Sequence, residues 1–286
     1  MYIIKVRARD GEDWMDILVM EERKLDSRLE DLLKDRMETA SNSGYLYRVI
    51  TLEQFIDMLL GGSVSKTTKM INTLVRPWMW EDPYEKLFES YSSLVHPQGW
   101  FGQCWSLEEE SDSIWRSFTN NGSKRCVKIK VSIENLKDSL LSYNRDNAQF
   151  VLAPVLYNCD ELANSLIGKA AGIICSAKKI AYPQNVLLDI KQTLLLAKRN
   201  PFRSENEVRL LVYDESRKKD EKTWSYPFDV NRYVEEVVFD PWTKEYYRNN
   251  FIKQLSRIGL KEARKKVHFS ELYDEIDLKE IIKQHN

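Results

Sequence analysis

Two carboxylates and a guanidinium stand at regular spacing in the segment RSENEVRLLVY, residues 203–213. Glu205, Glu207 and Arg209 lie two residues apart, so on an extended backbone they share one face. From position 208 onward the alternate residues are apolar: Val208, Leu210 and Val212. That alternation predicts a strand whose other face enters a core. Carboxylates fixed at the mouth of a buried strand suit acid–base or electrostatic catalysis, although a chain with 44 acidic residues also produces solvated Glu-x-Glu pairs by chance.

Composition limits the classes of protein to which the chain can belong. Its 286 residues suffice for one large domain or two smaller ones. A hydrophobic content of 43% with 11% aromatic residues is typical of a globular protein and argues against disorder. The formal net charge is -1, so no global field would recruit nucleic acid or an anionic membrane. A local basic patch remains compatible with this composition.

Metal and secretory signals are missing from the sequence. The four cysteines form no C-x-x-C pair and the three histidines are scattered: Cys104, Cys126, Cys159 and Cys175; His96, His268 and His285. This spacing predicts that the protein has no metal site. The first ten residues are too charged for a signal peptide, and no apolar run has the length of a membrane span. We therefore expect a cytoplasmic protein in a reducing compartment.

Apolar periodicity predicts strands and helices in alternation without a regular β–α–β repeat, which favours a mixed α+β fold. Neither G-x-G-x-x-G nor G-x-x-x-x-G-K-[ST] occurs, which argues against a dehydrogenase or a P-loop enzyme. Residues 1–44 predict a small β-hairpin followed by a helix, packed as an appendage on a main domain of residues 45–286. The tail from Asp274 to Gln284 is amphipathic.

Several local expectations bear on the later structure. Thr51 and Gln54 have capping-box spacing, and Gly61-Gly62 predicts the end of the helix that they start. Residues 63–80 predict an irregular loop that lines a cleft. Ser106 with Glu109 predicts a helix cap, and residues 240–241 predict the start of a helix whose inner side includes residues 246 and 247.

Four short motifs in a fixed order resemble a bacterial family known as domain of unknown function 2971. The motifs are Leu46-Tyr-Arg-Val with a Gly-terminated helix, Glu81-Asp-Pro-Tyr-Glu85, Cys104-Trp-Ser106 followed by Trp115, and Glu205-Asn-Glu-Val-Arg209. The likeness extends over residues 45 to 270. Glu81 and Asp240 stand where that family usually has Asn and Gly.

The same ordered set is similar to the Arg…Ser…Glu-x-Glu signature of the ADP-ribosyltransferases, including their DNA-modifying branch. That resemblance implies a split β-sheet, mixed or antiparallel, with flanking helices. It implies that Arg48 grips the diphosphate or ribose of NAD and that Ser106 shapes the nicotinamide side. Glu207 would be the catalytic carboxylate, and Glu205 would position or deprotonate the acceptor.

The resemblance also implies the chemistry and the partners. Breaking the nicotinamide–ribose bond develops positive charge on the ribose, which a fixed carboxylate stabilises without a metal. Tyr47, Trp105 and Trp115 would stack on nicotinamide or adenine. The implied activity is mono-ADP-ribosyl transfer from NAD to a macromolecule, with nucleic acid slightly favoured over protein. Bacterial enzymes of this kind serve as toxins or in phage defence, so an antitoxin or inhibitor is an expected partner.

Other interpretations of the same residues stay open. If these residues are purely structural, Arg48 would form a surface ion pair with Glu53, and Ser106 would only cap a helix. The whole chain is then a binding module that keeps the fold without the reaction. A third hypothesis is a metal-dependent nuclease using Asp82, Glu85 and the Glu-x-Glu pair; the sequence places no Lys or His obviously beside those acids, which lowers its rank.

Overall fold

The computed structural model describes residues 2–5, 44–61, 70–86, 99–143, 148–158, 161–176, 191–218 and 220–274. It has a mixed α+β fold in which helices flank a mixed antiparallel and parallel sheet. The α+β class predicted from the interspersed elements is confirmed. The described strands are β1 (Tyr2–Lys5), β2 (Tyr45–Thr51), β3 (Ile71–Val75), β4 (Trp100–Ser106), β5 (Cys126–Ser132), β6 (Ala148–Pro154), β7 (Leu156–Tyr157), β8 (Ala197–Lys198), β9 (Glu207–Asp214), β10 (Thr223–Pro227), β11 (Val234–Phe239) and β12 (Val267–Phe269).

Several of the described helices begin at a capping side chain. The described helices include α1 (Leu52–Leu60), α2 (Asp112–Thr119), α3 (Ile133–Leu141), α4 (Glu161–Ser176), α5 (Val230–Tyr233), α6 (Arg248–Arg257) and α7 (Ala263–Lys266). The predicted capping box at Thr51 and Gln54 is present, and Gly61 ends α1 in the left-handed conformation at φ 80°. Short 3-10 turns cover Pro77–Met79, Asn200–Glu205 and Glu245–Tyr247.

Ten of the described strands form one sheet. Its main path runs β1-β6-β9-β4-β2-β5-β11-β12, and β3 with β10 forms a side branch. Neighbours along the main path are antiparallel except β11 and β12, which are parallel. β7 and β8 pair in parallel as a separate two-stranded sheet. Residues far apart in the chain therefore meet on the central strands β9, β4 and β2.

The sheet forks along β4. Near the end of β4, Ser106 pairs with Tyr47 of β2, whereas near its start Gly102 pairs with Val75 of β3. β3 then pairs with β10 instead of β2. Beyond the Tyr47–Ser106 pair the two branches separate, and Arg48 lies where that separation begins.

The two faces of the central strands enter different cores. The even-numbered residues Val208, Leu210 and Val212 of β9 join the larger apolar cluster, together with residues of β2, β5, β10 and β11. The odd-numbered Leu211 and Tyr213 join a smaller cluster on the other face with Trp80 and Trp100. The burial of the even face confirms the predicted alternation. It also leaves Glu207 and Arg209 on the face of the smaller cluster.

Three local predictions were wrong. Residues 71–75 form a strand inside the predicted loop of residues 63–80, because pairing with β10 supplies their hydrogen bonds. Ser111, not Ser106, caps α2 by accepting the Ile114 N–H. Asp240 starts no helix, because its buried carboxylate accepts hydrogen bonds from the Cys126 and Trp242 N–H groups and closes a turn. The helix begins only at Arg248, and Tyr246 is 86% exposed instead of facing inward.

Part of the predicted organisation lies outside the described residues. Of the first 43 residues only β1 is described, and it pairs with β6 at the edge of the main sheet. The predicted hairpin turn, the second strand and the helix of residues 21–40 are outside the description, as is the amphipathic tail beyond Asp274. Helical residues 83–86 follow Asp82 as predicted, and their continuation to residue 94 is likewise not described. None of the described helices has the length and apolar character needed to cross a membrane.

Candidate functional site

A buried ion pair lies at the start of β9. Arg209 Nε donates to Glu207 Oε1 at 2.6 Å, and both side chains are almost completely removed from solvent. The backbone of Glu207 is fixed as well, since its N–H donates to the Tyr157 hydroxyl and its carbonyl accepts the Val155 N–H. A carboxylate held at both its side chain and its backbone is preorganised, which is what electrostatic catalysis requires.

Lys198 bridges the two carboxylates of the Glu-x-Glu pair. Its ammonium group lies 2.5 Å from Glu205 Oε2 and 2.5 Å from Glu207 Oε2. Glu205 itself belongs to a 3-10 turn, and Asn206 behind it adopts a left-handed conformation at φ 41°. The two glutamates therefore meet through Lys198 and not through the extended spacing that the sequence suggested.

Arg209 is enclosed by further partners. Its guanidinium donates to the Glu85 carboxylate and to the Leu195 carbonyl. The Trp80 ring covers it, with the guanidinium carbon 4.3 Å from the ring centroid. A guanidinium whose donors and face are engaged in this way acts as a fixed counter-ion to Glu207.

The pKa values of the two glutamates are shifted in opposite directions. Burial alone would raise the pKa of Glu207, but Arg209 and Lys198 lower it to about 2. Burial raises the pKa of Glu205 above its ordinary value, against the opposing effect of Lys198. Burial would lower the pKa of Lys198, and Glu207 and Glu205 raise it instead. Near neutral pH, Glu207 is thus a permanent anion, whereas Glu205 binds a proton more readily than an ordinary glutamate. Divergent proton affinities in a carboxylate pair are typical of separate acid–base roles.

One cleft brings all the sequence-predicted site residues together. Its enclosed space is about 40 Å³, which is smaller than a typical small-molecule site. Seven of its lining residues are those predicted from the sequence: Tyr47, Arg48, Trp105, Ser106, Trp115, Glu205 and Glu207. Arg48 projects from the opposite face of β2, the face on which Leu46 and Ile50 join the larger cluster. Tyr47, Ser106 and Glu207 lie side by side, because Tyr47 pairs with Ser106 and Ser106 pairs with Glu207 across three neighbouring strands. Paired residues of adjacent strands project from the same face of a sheet.

Arg48 lies at the fork and differs from the other basic residues of the cleft. It is half-buried, and within the part of the chain that the structure describes it forms no hydrogen bond or ion pair, so no pair with Glu53 exists there. Burial lowers the pKa of Arg48 to about 10, against the opposing effects of the Cys104 thiol and the Tyr226 hydroxyl. A desolvated guanidinium without a carboxylate partner is favourable only if an anion joins it.

Ser106 joins the two chain segments that border the cleft. Its hydroxyl donates to the Glu205 carbonyl at 2.7 Å and accepts the Glu108 N–H at 2.9 Å. The Asn206 amide also donates to the Glu108 carboxylate at 2.9 Å. Ser106 therefore fixes the position of Glu205 relative to the loop of residues 107–111.

The predicted aromatic residues are more buried than stacking on a ligand would suggest. Trp105 is 2% exposed and donates its indole N–H to Gln103, and Trp115 is 1% exposed and donates to Glu110. Tyr47 lies beneath Lys128, whose ammonium is 5.8 Å from the ring centroid. These rings form the inner wall of the cleft, and their stacking on a ligand stays a prediction.

Sequence reasoning missed several members of the site. Lys198 sits only nine residues before Glu207, and a charged residue directly after the apolar run of residues 194–197 was the available signal. The Cys104 thiol hydrogen-bonds the Glu207 carboxylate, and burial raises the pKa of that thiol. Lys128 is 5% exposed and donates to the Glu109 carbonyl and to the Glu110 carboxylate at 3.1 Å.

The carboxylates proposed for a nuclease form ion pairs with basic side chains. Asp82 pairs with Arg199 at 2.7 Å, Glu85 pairs with Arg209, and both oxygens of Glu207 are bonded to cations. Among the described residues, no group of three or more His, Cys, Asp and Glu side chains is arranged to hold a metal ion. The statement that no lysine accompanies these acids was nevertheless wrong, since Lys198 touches two carboxylates of the site.

Comparison of the chain with known protein families, with curated proteins and with solved structures gives no match.

Proposed function

We propose that the protein is a mono-ADP-ribosyltransferase that moves ADP-ribose from NAD to a macromolecule. The observation that carries this proposal is the alignment of Tyr47, Ser106 and Glu207 across three neighbouring strands, in a cleft that Arg48 also lines. We also propose that the fold is the split sheet of an ADP-ribosyltransferase. The fork along β4 supports this. The proposal also includes a role as a bacterial toxin or phage-defence effector acting in the cytoplasm.

The roles follow from the charge of each group. The C1′–N bond of NAD breaks, and neutral nicotinamide leaves with the bonding electron pair, so positive charge develops on the ribose. Glu207, held as an anion with its pKa near 2, would stabilise that charge. Arg48, the cleft guanidinium without a described partner, would bind the NAD diphosphate through two of its N–H groups.

Glu205 would serve the acceptor. A nucleophilic oxygen or nitrogen forms the new bond to C1′ and must lose its proton. Burial raises the pKa of Glu205, which makes it a better proton acceptor than an ordinary glutamate once it is ionised. Ser106 would hold Glu205 in place through the 2.7 Å hydrogen bond to its carbonyl.

The test uses NAD labelled in its adenylate phosphate, together with RNA, DNA and cell lysate as acceptors. We expect label transfer and release of nicotinamide by the wild-type protein, and a loss of about 10²–10³-fold in Glu207→Gln. Glu134→Gln is the matched control, since Glu134 is an exposed glutamate of α3 outside the cleft. If wild-type protein labels no acceptor and releases nicotinamide no faster than Glu207→Gln, the proposal is wrong.

A chelator separates this proposal from the nuclease. Transfer should continue in the presence of excess EDTA because no step requires a metal, whereas cleavage of nucleic acid by a metal-dependent nuclease would stop. Chelator-sensitive cleavage without label transfer would therefore replace one hypothesis by the other.

A further inference from the structure

A surface beside the cleft combines exposed aromatic rings with basic side chains. It consists of residues 116–125, from α2 through the following turn, and residues 240–248 after β11; we call it the aromatic–basic surface. The two segments are in contact. The Gly122 backbone packs directly on the Trp242 ring, and Arg125 Nη1 donates to Thr243 Oγ1 at 3.4 Å.

The aromatic rings of this surface are displayed to solvent. Tyr246 is 86% exposed and Phe118 is 47% exposed. Tyr246 and Tyr247 pack edge to face with their centroids 4.9 Å apart, so one ring supports the other. Trp242 contacts Tyr273 in the same manner at 5.3 Å. Large exposed aromatics gathered in one place are typical of an interaction site.

The polar side chains around these rings are mainly cationic. Five basic residues lie in the two segments: Arg116, Lys124, Arg125, Lys244 and Arg248. Their acidic residues are Glu245 and Asp240, and Asp240 is buried, bonded to backbone N–H groups and paired with Arg125 at 3.6 Å. Asp112 borders the surface and pairs with Arg116 at 2.9 Å. Lys124 and Lys244 form no ion pair with any described side chain, so their charge is available to an anionic partner.

We propose that the aromatic–basic surface binds single-stranded nucleic acid. Exposed rings stack on unpaired bases irrespective of sequence, and lysine or arginine side chains neutralise the phosphates between them. A duplex keeps its bases stacked on each other and would leave the rings unused. The chain's net charge of -1 does not oppose this, because phosphate contacts depend on the charges close to them.

The location relates this surface to the cleft. Ile114, Trp115 and Phe118 of α2 line the cleft, and Phe118 is also part of the aromatic–basic surface. Phe118 therefore connects the aromatic–basic surface to the cleft. The claim that the bound nucleic acid is also the acceptor of ADP-ribose rests on the proposed function. The binding itself requires no NAD.

The binding test uses fluorescence anisotropy with end-labelled single-stranded RNA and DNA of mixed sequence and no added NAD. We expect dissociation constants of roughly 10⁻⁶–10⁻⁴ M near physiological salt, weakening as salt is raised. Tyr246→Ala with Tyr247→Ala should weaken binding by about 5-fold or more, since each stacked ring contributes appreciably. Lys124→Glu with Lys244→Glu should weaken it by a similar factor and reduce the salt dependence.

A charge-matched control comes from the opposite end of β5. Lys137→Glu with Arg232→Glu also reverses two surface charges, near α3 and α5, and should leave binding within about 2-fold because phosphate contacts act locally. Circular dichroism of every variant confirms that the fold is retained. Equal losses in both charge-reversal variants, tighter binding of a duplex of the same length, or no binding at low salt would each overturn the inference. Binding without any NAD turnover would leave it standing while the proposed function fails.

Discussion

The Lys198 ammonium group lies 2.5 Å from the Glu207 carboxylate and an equal distance from Glu205. One lysine thus holds together two acids that would repel each other in its absence. Arg209 completes the arrangement from the other side of Glu207. The site is a small buried salt network in which each charge depends on its neighbours.

We expect Lys198→Met to destabilise the fold by about 3–5 kcal/mol, because it leaves Glu207 buried with less compensation and exposes Glu205 to its repulsion. Lys198→Met combined with Glu207→Gln should cost less than the sum of the single changes, which a double-mutant cycle in urea measures. Lys137→Met, at a lysine paired with an exposed glutamate, is the control and should change the free energy of unfolding by less than about 1 kcal/mol. Simple additivity of the two changes would refute the coupling.

The contribution of Glu207 to stability should depend on pH. Its pKa is lowered to about 2 in the folded protein, so its carboxylate stabilises the fold above the ordinary pKa of about 4.3, and this stabilisation is lost as pH falls toward 2. Glu205 and Glu85, whose pKa values burial raises, act in the opposite sense, so the comparison must isolate Glu207. Urea unfolding of wild type and Glu207→Gln at pH 7, 5 and 3 should show a difference that shrinks below about pH 4. A constant difference would contradict the lowered pKa.

Replacing Arg48 should affect the stability of the ligand-free protein and the binding of NAD in different ways. Arg48→Met removes a half-buried charge that has no described partner, so we expect the ligand-free protein to keep its stability or gain ~1–3 kcal/mol. The variant should lose the stabilisation that NAD gives, about 2.7 kcal/mol at 100 times its dissociation constant. Thermal unfolding with and without NAD measures both effects, with Arg232→Met, at an exposed arginine outside the cleft, as the control. A destabilised variant that still responds to NAD would show that Arg48 is structural.

The two glutamates should separate the steps of the proposed reaction. Glu207→Gln should slow nicotinamide release by about 10²–10³-fold, because the charge on the ribose loses its counter-ion. Glu205→Gln should reduce transfer to the acceptor more than it reduces release of nicotinamide to water, since Glu205 acts on the acceptor. In wild type, transfer should rise with pH as Glu205 ionises, through a pKa above its ordinary value, and this limb should disappear in Glu205→Gln. Equal loss of both activities in both variants would contradict this division.

Any side chain at Gly102 should lower the stability of the fold. A Cβ at this position would collide with the Trp80 ring, which covers the Arg209 guanidinium. Gly102→Ala should therefore cost about 1–3 kcal/mol as the ring shifts, and Trp80→Leu should recover part of that loss in the double variant. Urea denaturation of the single and double variants tests this; an unchanged midpoint for Gly102→Ala would contradict the close approach.

Much of the local structure was predictable because its determinants are adjacent in the chain. The Thr51–Gln54 capping box, the left-handed Gly61 and the alternation of Val208, Leu210 and Val212 are short-range signals, and the structure confirms them. The sequence alone also determined the α+β class, since that class follows from the order of elements.

The tertiary structure decided what those elements bring together. β3 was missed because its stability comes from pairing with β10, about 150 residues away, and no local pattern records that partner. Lys198 was missed for a similar reason. It is positioned beside Glu205 and Glu207 by the short strand β8, which pairs in parallel with β7, and the periodicity of the sequence does not show this pairing. Arg48 was placed in the cleft by the fork along β4 and not by its spacing. Contacts between distant segments depend on the packing of the whole sheet, and such long-range terms outweigh local propensity wherever the two differ.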